Sequence, residues 1–328
     1  MLTKSGEVEE VNRKIETISS RKRPSLFAKL NLLFALLASL GYLLLSYFLI
    51  GFNTDQLVLV FLFNTLYFLS FNTRRFILAF SIFIIYWIIF DYMKAFPNYR
   101  YNPVHIQDLY NLEKSWFGIE WNNSIVTPNE FFAQNNSIIQ DILTGIFYLC
   151  WIPVPLAFAA IMFFKNRNLF FQFSLTFFLV NILGWIGYYS YPAAPPWYVA
   201  QHGFGFVANT PGNIGGLVRF DELVGIGIFQ SIYAKSSNVF AAMPSLHSAY
   251  IMIVVFYAAK AKMKGWVFLF AVITMGIWFG AVYSSHHYVL DVLAGILCAV
   301  VGISLFQWWT KTESGKNRLA KMVAAITK

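Results

Sequence analysis

The sequence predicts an all-α polytopic membrane protein, a helix bundle with about eight transmembrane helices. The chain has 328 residues, of which 58% are hydrophobic and only 12% are charged. A water-soluble fold of this size cannot cover so much apolar surface with so few polar side chains. A helix of about 20 apolar residues crosses the hydrocarbon layer of a bilayer. Runs of this kind recur along the chain, so lipid is the expected solvent.

Eight apolar runs account for the predicted helices. The second, third and sixth runs are shorter than the ~20 residues of an ordinary span. The predicted spans are residues 30–51, 57–71, 76–90, 142–164, 169–191, 246–259, 266–283 and 288–309.

The spans form one predicted integral membrane domain, residues 29–310, because no charged or Pro/Ser-rich linker divides them and no internal repeat is visible. Basic tails, residues 1–28 and 311–328, flank this domain. Two long segments interrupt the spans, residues 91–141 and 192–245. The second is rich in proline and glycine, a composition typical of an ordered lid or binding loop.

The distribution of lysine and arginine predicts the orientation. With the amino terminus in the cytoplasm, 19 of the 24 basic residues fall in the cytoplasmic loops and tails. Cytoplasmic loops retain positive charge during membrane insertion. We therefore expect both termini in the cytoplasm, and segments 91–141 and 192–245 on the non-cytoplasmic face, periplasmic or lumenal.

The net charge of +9 raises the possibility of a nucleic-acid partner. The basic residues are spread over loops and tails rather than gathered on a soluble module, so we expect no such partner. Attraction to anionic lipid headgroups explains the charge more simply. The oligomeric state stays open.

The first outer segment contains the stretch VHIQDLYNLEKSWFGIEW, residues 104–121. Charges and aromatic side chains alternate in it, as in a helix that lies in the membrane interface. Two interpretations stay open, a structural cover and a substrate-binding element.

His287 and Asp291 are the first part of a candidate active site. They are four residues apart at the start of a predicted helix, so their side chains share one face. The aspartate can accept the N–H of one ring nitrogen and leave the other nitrogen free. This bond would fix the tautomer and stabilise positive charge on the ring.

His247 is the second part of the site. It follows Pro244 and Ser245 at the start of the sixth span, and the seventh span returns the chain to the same side before His287. One imidazole can attack phosphorus while the other protonates a leaving alkoxide. Such an attack forms a phosphoenzyme and divides a hard displacement into two easier ones.

Other interpretations of these residues stay open. A lone HxxxD pattern is most often a pair on a helix surface. Three histidines and an aspartate can bind zinc, but no HExxH or cysteine cluster is present, and we expect no metal or other cofactor. Ser245 lacks a GxSxG motif, so we expect it to cap the sixth helix and donate to a phosphate oxygen.

At these residues the chain resembles the type 2 phosphatidic acid phosphatase superfamily. The PSLH that ends at His247 is similar to the second signature, PSGH, and the HYVLD from His287 to Asp291 is similar to part of the third. The resemblance implies a six-helix core preceded by extra amino-terminal spans. It also implies that His287 is the nucleophile, Asp291 its orienting carboxylate and His247 the general acid.

The chain departs from the family pattern where phosphate is bound. Gly280 and Ala281 stand at the positions of the usual serine–arginine pair, and no clear KxxxxxxRP signature is present. Lys94 and Arg100 are the best substitutes as phosphate ligands. Each is equally compatible with an ordinary charge at the membrane interface.

The forms MPSLHSA, YSSHHYVLDVLAG and PAAPPWY resemble the inositol phosphorylceramide synthase branch, the aureobasidin-target type, over residues 102–305. This resemblance implies transfer of a phosphoinositol headgroup from phosphatidylinositol to the primary hydroxyl of ceramide. Two alternatives stay open. One is a phosphatase for phosphatidic acid or polyprenyl pyrophosphate, and the other is a non-catalytic lipid-binding or transport protein.

Three further residues are candidates for substrate binding. His286 is turned about 100° from His287 around a helix, so it can contact a headgroup or pack against the 192–245 segment. Tyr191 and Trp197 can contact inositol or an acyl chain. Anchoring at the interface explains these two aromatic residues equally well.

Overall fold

A computed structural model describes residues 25–234 and 238–327 of the chain. The predicted tail 1–28 lies mostly outside the described residues. The chain divides into two compact units, with the boundary in the sequence between Leu78 and Ala79. A single membrane domain over residues 29–310 stays a prediction.

The described chain is mostly helical and has almost no strands, which confirms the all-α prediction. The helices are α1 (Lys29–Ile50), α2 (Thr54–Leu69), α3 (Phe71–Tyr92), α4 (Gln107–Phe117), α5 (Pro128–Gln134), α6 (Ile138–Tyr148), α7 (Pro153–Lys165), α8 (Arg167–Ser190), α9 (Pro196–His202), α10 (Val218–Val224), α11 (Ile228–Tyr233), α12 (Leu246–Lys260), α13 (Lys264–Tyr283), α14 (Val289–Lys311) and α15 (Glu313–Thr327). Short 3-10 turns cover Met93–Ala95, Asn98–Arg100 and Gly215–Leu217.

Six helical stretches in the described chain are long and apolar enough to cross a membrane, and α2 and α12 are shorter apolar helices. The third predicted span, 76–90, was too short, because α3 extends to both sides of it. The fourth, 142–164, is not one regular helix. It divides into α6 and α7, because Pro153 and Pro155 cannot donate the backbone bonds that would continue α6.

In the amino-terminal unit, Arg74 ties the start of α3 to earlier parts of the chain. Its guanidinium donates to the carbonyl of Leu26 at 2.6 Å and to that of Tyr67 at 2.9 Å. It also lies 4.3 Å from the centre of the Tyr67 ring. A charge at a helix end is thus satisfied by backbone acceptors and an aromatic face.

In the second unit, α12 is the central helix, with α7, α8, α13 and α14 packed against it. Its buried side chains include Tyr250 and Tyr257. The Tyr250 hydroxyl donates to Asn181 at 2.6 Å, and the Tyr257 hydroxyl lies 2.6 Å from that of Thr176. Hydrogen bonds of this kind join helices where lipid supplies no hydrophobic driving force between them.

The first outer segment contains a hairpin that the sequence analysis missed. Strands β1 (Ile119–Trp121) and β2 (Ser124–Val126) pair antiparallel, so Trp121 lies in a strand and the predicted helix ends at Phe117. Asn122 and Asn123 have φ of 48° and 61°. Positive φ at both central residues defines the tight turn that suits a two-residue hairpin.

The two outer segments contact each other. His105 N–H donates to the Pro192 carbonyl at 2.7 Å, and Ala194 N–H donates to the His105 carbonyl at 3.0 Å. Leu109 of α4 is buried against Tyr288 and Leu290 at the start of α14. Both segments therefore cover the end of the bundle that carries the histidines.

Candidate active site

The first turn of α14 is bonded to the start of α12, and this contact sets the site. Ser245 N–H donates to the Asp291 carbonyl at 2.9 Å. Gly295, one turn along α14, lies directly against the Ser245 carbonyl, and a side chain at this position would collide with that backbone. The glycine of the DVLAG stretch is thus what allows the two helices to approach so closely.

The two predicted catalytic histidines are brought together. His247, in the first turn of α12, has its Nδ1 3.1 Å from Nε2 of His287. The Tyr148 hydroxyl lies 3.3 Å from the same Nδ1, and the Trp151 ring stands edge-on with its centre 4.4 Å from that of His247. One imidazole must carry the proton between the rings, so the pair is suited to proton transfer.

Asp291 lies on the other side of His287. The His287 Nδ1 is 3.6 Å from Asp291 Oδ2, an ion-pair distance but longer than a hydrogen bond. The same carboxylate oxygen accepts the Tyr288 N–H at 2.8 Å. The helix begins at Val289, so His287 immediately precedes the helix cap, and the Asp291 carboxylate caps the turn that follows the histidine.

Two polar residues that the sequence analysis missed support the loop 284–288 and the start of α14. The Glu113 side chain is fully buried and accepts Val289 N–H at 2.9 Å and Leu290 N–H at 3.1 Å. The Asn129 amide donates to the Val282 carbonyl at 2.8 Å and to the His287 carbonyl at 2.9 Å. A helix amino terminus leaves N–H groups without partners, and Glu113 supplies the acceptors.

Electrostatics distinguish Glu113 from an ordinary surface glutamate. Burial raises its pKa to about 7, and the nearby Asp291 charge acts in the same direction, while the two backbone donors act in the opposite one. The carboxyl group therefore titrates near neutral pH rather than in acid.

His286 packs against the second outer segment, one of the two alternatives stated above. Its ring centre is 4.6 Å from that of Tyr233 and 5.6 Å from that of Tyr148. Burial lowers its pKa to about 3, and the neighbouring His287 adds to this effect. His286 is therefore neutral at physiological pH.

Ser245 is buried at the start of α12, as predicted, but its hydroxyl makes no capping bond to that helix. It accepts the Ser248 hydroxyl at 3.1 Å instead. The cap prediction was right about the position and wrong about the side-chain bond, because a neighbouring serine occupies the oxygen. Donation to a phosphate stays a prediction.

The structure places the other candidates elsewhere in the outer segments. Lys94 pairs with Asp91 at 2.6 Å, and Arg100 is exposed in a 3-10 turn. Tyr191 stacks on His105 with ring centres 3.7 Å apart. Trp197 is buried, and its backbone N–H donates to the Ser285 carbonyl at 3.0 Å, next to His286. Substrate binding by these residues stays a prediction.

Among residues 25–234 and 238–327, no group of three His, Cys, Asp or Glu side chains is arranged to hold a metal ion. The two histidines of the site lie 3.1 Å apart, nitrogen to nitrogen, with the aspartate carboxylate beside them. This arrangement is suited to nucleophilic attack with acid–base assistance.

Comparisons with known proteins identify the family of the chain. The chain matches the family model of the PAP2 superfamily over residues 107–305. It is 45% identical over 269 residues to a phosphoinositol dihydroceramide synthase of Bacteroides thetaiotaomicron. The aligned region covers 81% of this chain and 88% of that protein. No solved structure matches the chain.

Two fungal proteins are also similar. The inositol phosphorylceramide synthase of Candida albicans is 30% identical over 194 residues, 56% of this chain and 40% of that protein. The inositol phosphorylceramide synthase catalytic subunit of Saccharomyces cerevisiae is 28% identical over 243 residues, 69% of this chain and 58% of that protein. The matched region thus covers less than two thirds of each fungal protein.

Proposed function

The chain belongs to the PAP2 superfamily, and from that membership we propose that it is a membrane phosphotransferase of the inositol phosphorylceramide synthase type. It moves a phosphoinositol headgroup from phosphatidylinositol to the primary hydroxyl of ceramide and releases diacylglycerol. The names of its relatives support this donor and acceptor. The observation that carries the proposal is the 3.1 Å contact between His247 and His287, with Asp291 beside it.

In the first step, Nε2 of His287 attacks the phosphorus of the donor. The bond between phosphorus and the diacylglycerol oxygen breaks, and His247 protonates that oxygen. Asp291 faces the opposite nitrogen of His287 and stabilises the positive charge that develops on its ring. The products are free diacylglycerol and phosphoinositol bound to His287.

In the second step, the ceramide hydroxyl attacks the phosphorus of this intermediate. His247, now unprotonated, takes the hydroxyl proton, the new P–O bond forms, and the bond to His287 breaks. The protonation states of both histidines return to their starting values. The same general acid thus serves as general base in the return step.

The histidine contact requires a rearrangement on binding. Reacting atoms approach to about 3–3.5 Å before bond formation, and a phosphorus atom with its leaving oxygen must fit between the rings. The two nitrogens are 3.1 Å apart, so the rings must separate when the donor phosphate binds. Tyr148 and Trp151, which flank His247, are the side chains nearest to this movement.

The charge distribution supports an active site on the non-cytoplasmic face, with both termini in the cytoplasm. The histidine pair lies at the ends of α12 and α14 covered by residues 91–141 and 192–245. The loop between α12 and α13, at the other end of α12, carries Lys260, Lys262 and Lys264. Positive charge of this kind is retained on the cytoplasmic side.

A product assay tests the proposed function. Purified protein is given phosphatidylinositol and ceramide in mixed micelles, and lipids are identified by mass spectrometry. We expect inositol phosphorylceramide and an equal amount of diacylglycerol. Inositol phosphate or inorganic phosphate without a phosphosphingolipid would indicate a phosphatase, and no product at all would favour a binding protein.

His287→Ala is the variant that connects this assay to the site. We expect its rate to fall by several orders of magnitude, as on loss of a member of a catalytic unit. His202→Ala is the matched control, because His202 is an exposed histidine of α9 and should leave the rate unchanged.

A further inference from the structure

A cleft of about 450 Å³ opens between the second outer segment and α5, beside the loop 284–288 that carries His286 and His287. Neither His247 nor His287 lines it. Its walls contain the side chains of Trp197, Gln201, Gln230 and Arg219, and Ser285 forms part of its lining. Asn213 also lines it, so the cleft combines one cation, three amides and an indole, a set of groups that can bind a charged and hydroxyl-rich ligand.

Arg219 is the unusual residue of this cleft. Its Nε donates to Asp141 Oδ1 at 2.7 Å, and its side chain is 24% exposed while that of Asp141 is 6% exposed. The guanidinium also lies 5.0 Å from the centre of the Tyr283 ring. Its Nη2 is buried and has no hydrogen-bond partner among the described residues. An unsatisfied donor on a fixed cation is costly unless a ligand completes it.

A backbone hydrogen bond near Arg219 joins the cleft to the loop 284–288, which carries His287. Gly216 N–H donates to the Ser284 carbonyl at 2.8 Å. A Cβ on Gly216 would lie 2.9 Å from Arg219 Nη1 and 3.1 Å from Ser284 Cα, so the guanidinium packs against this junction. Ser285 is two residues from His287, so their Cα atoms are at most about 7 Å apart.

The other basic residues of the outer segments are less suited to bind a substrate anion. Lys94 is paired with Asp91, and Lys114 lies over the Tyr110 ring. Arg100 is exposed to solvent, and Lys235 lies outside the described residues. Arg219 is the described outer cation that is both held in place and short of a hydrogen-bond acceptor.

We propose that this cleft binds the phosphorylated polyol headgroup of the donor lipid, with Arg219 as the cation that holds its anionic charge. Gln201 and Gln230 donate to and accept from ring hydroxyls, and Trp197 packs near the ring. The partly exposed guanidinium gains an oxygen acceptor, and Asp141 holds it in orientation. This inference rests on the proposed function for the identity of the headgroup.

The test uses a steric variant that leaves the buried charges intact. Ala200 is an exposed residue of the cleft lining, so Ala200→Trp fills the cleft without disturbing the core. We expect the KM for phosphatidylinositol to rise at least about tenfold, and the KM for ceramide to change less than about twofold. Ala324→Trp, at an exposed position of α15, is the matched control and should change neither value.

The cation is tested by removing both members of the ion pair. Arg219→Gln alone would leave the buried Asp141 charge without its partner, so it is combined with Asp141→Asn. We expect this double variant to keep the thermal stability of the Ala324→Trp control and to lose donor affinity. Unchanged donor affinity in a folded double variant would overturn the role of Arg219.

A binding measurement separates this inference from the transferase assignment. Glycerophosphoinositol, a soluble phosphodiester with the same headgroup, is titrated into the detergent-solubilised full chain. We expect binding to the parent chain that Ala200→Trp weakens at least about tenfold. Equal binding by both chains, or none by the parent, would overturn the headgroup site. Binding without any lipid transfer would leave the headgroup site standing and refute the proposed function.

Discussion

At the residue scale, we propose two tasks for one buried carboxylate, that of Asp291. Asp291 faces His287 Nδ1 at 3.6 Å, and its Oδ2 also accepts the Tyr288 N–H at 2.8 Å. We propose that this carboxylate favours the tautomer in which His287 Nε2 is free to attack phosphorus. An asparagine at position 291 would separate the two tasks. Its amide oxygen can still accept the Tyr288 N–H, but it carries no negative charge.

We therefore expect Asp291→Asn to fold but to transfer slowly. By analogy with amide replacement of an orienting aspartate, the kcat should fall by about 10²- to 10⁴-fold. The transfer rate is measured at saturating concentrations of both lipids, with thermal unfolding as a check of the fold. Asp108→Asn, which changes an exposed aspartate paired with His105, is the control. A kcat within twofold of the parent would remove Asp291 from the mechanism.

At the scale of elements, the amino terminus of α14 is held by α4. Glu113 accepts two N–H groups of α14, and burial raises the pKa of its carboxyl group to about 7 from an ordinary value of 4.5. The folded chain therefore binds this proton more tightly than the unfolded chain does. Its contribution to stability is complete below about pH 4.5 and is lost as the pH rises through 7.

Glu113→Gln tests this effect, since glutamine does not titrate. We expect the difference in melting temperature between the parent and this variant to depend on pH, with the parent losing more stability from pH 4.5 to 8. The variant should also be less stable at low pH, because its amide NH₂ faces an N–H donor of α14. Parallel curves over this range would show that Glu113 keeps an ordinary pKa.

The contact between α12 and α14 leads to a second prediction at this scale. In Gly295→Ala the new methyl group meets the backbone carbonyl of Ser245, which no side-chain movement can relieve. We expect a lower melting temperature, by several degrees, and loss of most activity as the histidine pair is displaced. Gly265→Ala is the control, because a Cβ there meets nothing within 4 Å. Equal behaviour of the two variants would show that the close approach is unimportant.

At the scale of the whole molecule, motifs and the order of the spans predicted the histidines and the aspartate of the candidate site, but not the residues that contact them through tertiary packing. The PSLH and HYVLD stretches identified His247, His287 and Asp291, and the order of the spans placed both histidines at one end of the bundle. Glu113 meets Val289 across 176 residues. A single buried carboxylate in an amphipathic helix leaves no periodic pattern, so its partner depends on tertiary packing. The hairpin did leave a signal, the adjacent Asn122 and Asn123, but its first strand was included in the predicted helix.

The orientation of the whole chain is tested by labelling engineered cysteines. Cys150 and Cys298 are first replaced by serine and alanine, and a cysteine is placed at exposed Asn136 or exposed Lys262. In intact cells, we expect a membrane-impermeant maleimide to label Asn136→Cys and not Lys262→Cys, as the positive-inside rule requires. The reverse pattern would place the histidine pair in the cytoplasm.

The central claim, attack by a histidine followed by attack by the acceptor, is tested most directly by the stereochemistry at phosphorus. The enzyme is given phosphatidylinositol in which one non-bridging oxygen of the phosphodiester is replaced by sulfur, in a single configuration. Each in-line displacement inverts the phosphorus centre, so two displacements through a phosphohistidine retain the configuration in the product. We predict retention in the inositol phosphorothioyl ceramide, and inversion would show that ceramide attacks the donor directly.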